Sequence, residues 1–180
     1  MDNSPVSFRK SATNYGLILG GIFAIIIALL YSLSLESLTK WWLGIILFFV
    51  ALIFGIVSVA KSKSILGGYI SFKEAFTSYF ITIVIGLFIS VLTSILIFNL
   101  VDPGAAEYLN EQIVDITRGM MERFGAPEAE IDKAIADLEG KNSYSVGSQL
   151  QSFFFQIIFY SVFGLLIALI MKKKNPNTPV

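Results

Sequence analysis

The chain has 180 residues, 55% of them apolar and 14% charged, with thirteen basic residues balancing thirteen acidic ones. It contains no Cys and no His, which excludes disulfides, thiolate nucleophiles, Cys/His metal sites and the commonest general base near neutral pH. The neutral total conceals a division: residues 102–147 hold ten acids against four bases, a net −6, and the rest of the chain holds nine bases against three acids, a net +6. A lipid bilayer is the simplest object that separates two such faces.

A polar lead carrying Arg9 and Lys10 precedes the first uncharged run, residues 15–35. At 21 residues this run exceeds the roughly 7–15 of a signal-peptide core, so it is expected to be retained as a span. Further uncharged runs cover 41–60, 75–101 and 142–171, the last expected to cross over 149–171. Each supplies the ~20 apolar residues that cross a ~30 Å hydrocarbon core. Trp41 and Trp42 open the second span, with Tyr31 across the short turn; amphipathic aromatics favour the headgroup level and anchor this turn there.

The connection between spans two and three contains Lys61, Lys63 and Lys73. It ends in Ser71-Phe72-Lys73-Glu74, which has capping-box spacing: the Ser71 hydroxyl accepts from the Glu74 amide, and the Glu74 carboxylate reaches back to the Ser71 amide. Capping accounts for the motif by itself, and a docking role for Lys73 and Glu74 is the sharper alternative. Lys172, Lys173 and Lys174 close the last span as a topology and headgroup anchor. Eight bases flank the spans on this side, so both termini are expected in the cytoplasm and the acidic insert outside.

The insert reads as two helices. Asp102-Pro103 supplies an N-cap and a first-turn proline. Leu109, Ile113, Ile116, Met120 and Phe124 recur at helical spacing, and Gly125 stops the first helix. Pro127 restarts a second, with Ile131, Ile135 and Leu138 on one face, and Gly140 ends it. Glu107, Glu111 and Asp115 make an acidic stripe at intervals of four. This is expected to be a solvated surface available to a partner, since it lacks the loop and ligand spacing of a calcium site.

Two rows of small residues run along the spans. Gly16, Gly20, Ala24, Ala28 and Ser32 lie in span one; Ser78, Thr82, Gly86, Ser90 and Ser94 lie in span three. Such rows let backbones approach in lipid, where pairing rests on packing. Strict intervals of four drift around a 3.6-residue helix and fit a crossing better than a parallel seam. Packing of spans one and three on each other is expected; homodimerisation through one row is the alternative. Gln156 and Tyr160 are the most polar deep positions in span four and are expected to hydrogen-bond between helices. No charge sits within a span, which argues against proton coupling or voltage sensing. No cofactor, metal or nucleic-acid motif is recognisable.

The string Gly68-Tyr69-Ile70-Ser71-Phe72-Lys73-Glu74-Ala75-Phe76 before a span, Val101-Asp102-Pro103 after it, the acidic helical insert and the closing lysines resemble a family of small membrane proteins from Bacteroidota, catalogued as domain of unknown function 4199. The resemblance covers residues 8–174. It implies a four-span inner-membrane protein, points to a membrane-associated glycosyltransferase as a neighbour, and brings no functional residues with it. The expected fold is an all-α integral membrane protein with four transmembrane helices and a two-helix extracytoplasmic hairpin between spans three and four. The expected function is non-enzymatic: an accessory or scaffold subunit that meets a membrane or envelope partner. The alternative is a small transporter or lipid-handling protein.

Overall fold

The structure is a computed structural model that describes residues 5–176. The first residues of the polar lead and the end of the Asn/Pro tail lie outside the described residues. Described in chain order, α1 covers Pro5–Leu33, a 3₁₀ turn covers Leu35–Thr39, and α2 covers Trp41–Ile65. Next come α3 over Phe72–Ile95, a π-helical turn over Leu96–Val101, α4 over Pro103–Arg123, α5 over Glu128–Glu139 and α6 over Val146–Met171. Helices α1, α2, α6 and α3 with its π turn are each long and apolar enough to cross a membrane. There is no strand among the described residues.

The long helices exceed the uncharged runs at several ends. Helix α1 starts ten residues before Tyr15, at Pro5. Phe8 and Ala12 are buried while Arg9 and Lys10 are exposed, so charges sit on the outer face of a helix that is already packed. A run defined by the first charge misses such a turn. Helix α2 likewise continues past Lys61, because Ser62 faces inward.

Helix α3 is the centre of the bundle, packed on α1, α2 and α6, and its contact with α1 is the most extensive of the three. The two helices run parallel: a Cβ on Gly16 would meet Ile85, and one on Gly20 would meet Ile89. Leu19 fills the reciprocal notch at Gly86. On the other side of α3, the ring of Tyr79 is wedged between Gly55 of α2 and Gly164 of α6.

A cluster of hydroxyls joins α2 to α3 at full burial. Ser78 Oγ lies 2.7 Å from Ser62 Oγ and 3.1 Å from Ser58 Oγ. Thr82 Oγ1 lies 2.7 Å from Ser58 Oγ and 3.1 Å from the Ala12 carbonyl of α1. With one proton each, the four hydroxyls satisfy one another in a place where an unpaired polar group would be costly.

The helix starts follow their sequence signals. Ser71 and Glu74 form both bonds of the capping box. Asp102 Oδ1 accepts from the Ala105 amide at 3.0 Å and Oδ2 accepts from the Tyr31 hydroxyl at 3.0 Å. One carboxylate thus caps α4 and ties it to α1. Gly125, at φ 71, turns the chain between α4 and α5, which pack as a hairpin joined by Arg118 and Asp132 at 3.8 Å.

Candidate functional site

The bundle has a basic end, where α1 begins, α2 meets α3 and α6 finishes. It has an acidic end that carries the α4–α5 hairpin. Helices α2 and α6 touch little, and the contact they do make is aromatic. Phe48 of α2 meets Phe163, Tyr160 and Phe159 of α6 at centroid separations of 5.1, 5.7 and 5.8 Å. From this floor toward the acidic end the two helices part. The groove between them has a volume of about 530 Å³ and is walled by Trp41, Leu47 and Phe48 of α2, Leu87 of α3, and Phe159 of α6.

The groove meets a smaller polar cavity of about 220 Å³ beneath the chain that enters α6. Ser90 and Gln156 line both spaces. Ser94, Ser143, Tyr144, Gln149 and Ser152 line the polar one. Its roof is held firmly: the Tyr144 carbonyl accepts from Gln149 Nε2 at 2.6 Å and from Asn99 Nδ2 at 2.9 Å, and the Tyr144 ring packs edge-on against Phe98. Burial pushes the Tyr144 phenol up to about 12, so it stays neutral at physiological pH. The neighbouring Tyr108 is raised by its hydrogen bond to the Glu36 carboxylate.

Asn99 reaches this roof from the π turn, where the Asp102 amide donates to the Ile97 carbonyl five residues back. Such turns recur at functional sites in helices. Nothing in the local sequence marks it. The expectation that Gln156 and Tyr160 bond between helices is not met: among the described residues neither side chain makes a hydrogen bond, and both face the groove instead.

The small-residue rows take divided places. Gly16 and Gly20 are buried against α3, Ala24 is half-buried, and Ala28 and Ser32 are exposed. Ser78, Thr82 and Gly86 are buried; Ser90 and Ser94 are half-buried and line the polar cavity. Trp41 and Trp42 are exposed at the start of α2. Lys73 is exposed and Glu74 is occupied by its cap. Glu107, Glu111 and Asp115 are exposed on α4. Lys172, Lys173 and Lys174 follow α6 at the basic end. Among the described residues no cluster of three acids suits a metal ion.

The model of a family described as protein of unknown function (DUF4199) matches residues 14–173. The chain belongs to this family. The match takes in the groove and polar cavity of this DUF4199 chain whole, from Phe23 to Tyr160. No curated protein and no solved structure matches it.

Proposed function

We propose that this DUF4199 chain is a non-enzymatic four-span membrane protein that holds an amphiphile, a lipid or lipid-linked molecule, in the groove between α2 and α6. The observation that carries this reading is the sharing of Ser90 and Gln156 between an apolar groove and a polar cavity. An acyl chain suits the groove. A polar head suits the hydroxyl- and amide-lined cavity at the acidic end. The amide of Gln156 stands at the junction, free to bond whatever passes.

A phospholipid carrying a photoreactive acyl chain tests it. In detergent or nanodiscs, crosslinks are expected to concentrate on residues 156–160 and 44–48. Ser90→Leu with Gln156→Leu should reduce them about tenfold, since it costs the ligand polar contacts worth roughly 1–1.5 kcal/mol. Label spread evenly over the outward faces of all four spans defeats the proposal.

The proposed membrane is the bacterial inner membrane; the basic end carries eight of the 13 lysines and arginines, which resist translocation and put both termini in the cytoplasm. As the chain has no Cys, single cysteines report the sidedness cleanly. Glu111→Cys is expected to react with an impermeant thiol reagent in spheroplasts, and Ser64→Cys only after lysis; the opposite pattern reverses the orientation.

A second reading rests on α4. Ile116, Met120 and Phe124 form an exposed apolar stripe, and Phe124 is 85% exposed. Together with the acidic stripe of Glu107, Glu111 and Asp115 it supports a scaffold role toward an envelope partner. Loss of a copurifying protein from Met120→Glu with Phe124→Glu, with the bundle intact, is the outcome this reading requires.

A further inference from the structure

The basic end holds a second cleft, unrelated to the groove. It has a volume of about 540 Å³ and is lined by Leu66, Tyr69, Ile70, Ser71, Glu74, Lys173, Lys174 and Asn175. We infer that this cleft binds the phosphate of an anionic amphiphile at the basic surface of the bundle.

The lysines after α6 are not a loose tail here. Ile70 and Lys173 form an antiparallel bridge: the Ile70 amide donates to the Lys173 carbonyl at 3.1 Å, and the Lys173 amide donates to the Ile70 carbonyl at 2.8 Å. Gly67 and Gly68, at φ 77 and 88, make the reversal that brings Ile70 to this position. Lys63 Nζ donates to the Met171 carbonyl at 3.0 Å and fixes the last turn of α6. The backbone of the cleft is therefore set before any ligand arrives, which lowers the ordering cost of binding.

The charges inside the cleft are also arranged for an anion. Lys173 Nζ stands over the Tyr69 ring at 5.4 Å, and Lys174 lines the same wall. Among the described residues neither has a carboxylate within ion-pairing distance. Glu74 is the one acid among the described lining residues, and its Oε2 is turned to its own helix start, accepting from the Ser71 amide at 2.8 Å and the Ser71 hydroxyl at 2.7 Å. Leu66, Tyr69 and Ile70 give an apolar wall beside the cations. Phosphate flanked by hydrocarbon matches that combination, and such basic pockets at span ends recognise anionic lipid heads. The inference relies on the membrane reading for the lipid, and not on the groove.

Native mass spectrometry of the detergent-purified full chain provides the test, with phosphatidylglycerol, phosphatidylcholine and inorganic phosphate as probes. Phosphatidylglycerol is expected to be retained over phosphatidylcholine, and Lys173→Gln with Lys174→Gln to weaken it about tenfold. Lys61→Gln with Lys172→Gln removes the same charge outside the cleft and should change binding less than about twofold. Tyr69→Leu, which leaves the charge intact, should also weaken retention. Displacement by millimolar phosphate assigns the site to free phosphate chemistry; failure of phosphate to compete assigns it to the lipid head. Equal losses from the two lysine pairs mean diffuse attraction to a basic surface and overturn the inference, as does the absence of binding by any phosphate probe. Groove crosslinking stays intact in the lysine variants, so failure here is distinct from failure of the groove.

Discussion

Gly55→Ala and Gly164→Ala are each expected to lower the stability of the detergent-solubilised protein by about 3 kcal/mol, the upper part of the range for overpacking a tight interior. A methyl on Gly55 would come within 2.5 Å of Tyr79 Cδ2, and one on Gly164 within 2.5 Å of Tyr79 Cδ1 and 2.8 Å of Cε1. The two glycines face opposite edges of a single ring that is 1% exposed. The ring cannot retreat from one without striking the other. Either substitution must therefore spread α2 or α6 from α3. Tyr79→Phe should act in the opposite sense. The Tyr79 hydroxyl is buried and has no hydrogen-bond partner among the described residues, so deleting it should raise stability by roughly 1 kcal/mol. Tyr79→Leu should rescue Gly55→Ala, giving a coupling of about 1–3 kcal/mol in a double-mutant cycle. Unfolding followed by circular dichroism in micelles measures each of these variants. Additive losses with no rescue would mean that the ring is not the obstacle.

The second large effect concerns the α1–α3 crossing. Gly16→Leu is expected to cost about 3 kcal/mol or to prevent folding, since its first added carbon would meet Ile85 Cβ at 2.8 Å and the Thr82 carbonyl at 3.0 Å. A backbone carbonyl yields only if the helix moves. Ala28→Leu and Ser32→Leu, members of the same row, should stay within about 0.5 kcal/mol of the parent, because both positions are exposed. Comparing the three variants by the same unfolding measurement separates a crossing at one end of the helix from a seam along its length. A large loss from Ala28→Leu would indicate that the exposed half of the row is covered by another chain.

That contrast shows how far the residues alone could carry the reading. The four long helices, the hairpin, the caps at Ser71 and Asp102 and the turn at Gly125 all follow from local signals: uncharged length, side-chain oxygens at fixed offsets, and a glycine where φ must be positive. The drift of the small-residue rows was also legible, since it follows from 3.6 residues per turn. What escaped was set by contacts distant in the chain. Gly55 and Gly164 lie outside the two rows, and the placement of Tyr79 between them gives them their purpose. Ser58 and Ser62 look like ordinary small residues until Ser78 and Thr82 face them. Gln156 and Tyr160 stood out for their polarity, yet what they line depends on how far α2 and α6 diverge. The bridge from Ile70 to Lys173 joins segments over a hundred residues apart, and lysine runs carry no sign of such pairing.

The π turn at the end of α3 carries a geometric consequence for the hairpin. A π turn accommodates one more residue than an α turn would, and one residue corresponds to about 100° of rotation about a helix axis. The extra residue therefore sets the compass bearing at which the chain leaves the bundle. On that bearing Asp102 meets Tyr31 and Asn99 meets the Tyr144 carbonyl. With the turn wound as a regular helix, the acidic hairpin would swing away by more than a quarter circle, and the Tyr144 carbonyl would keep Gln149 but lose Asn99.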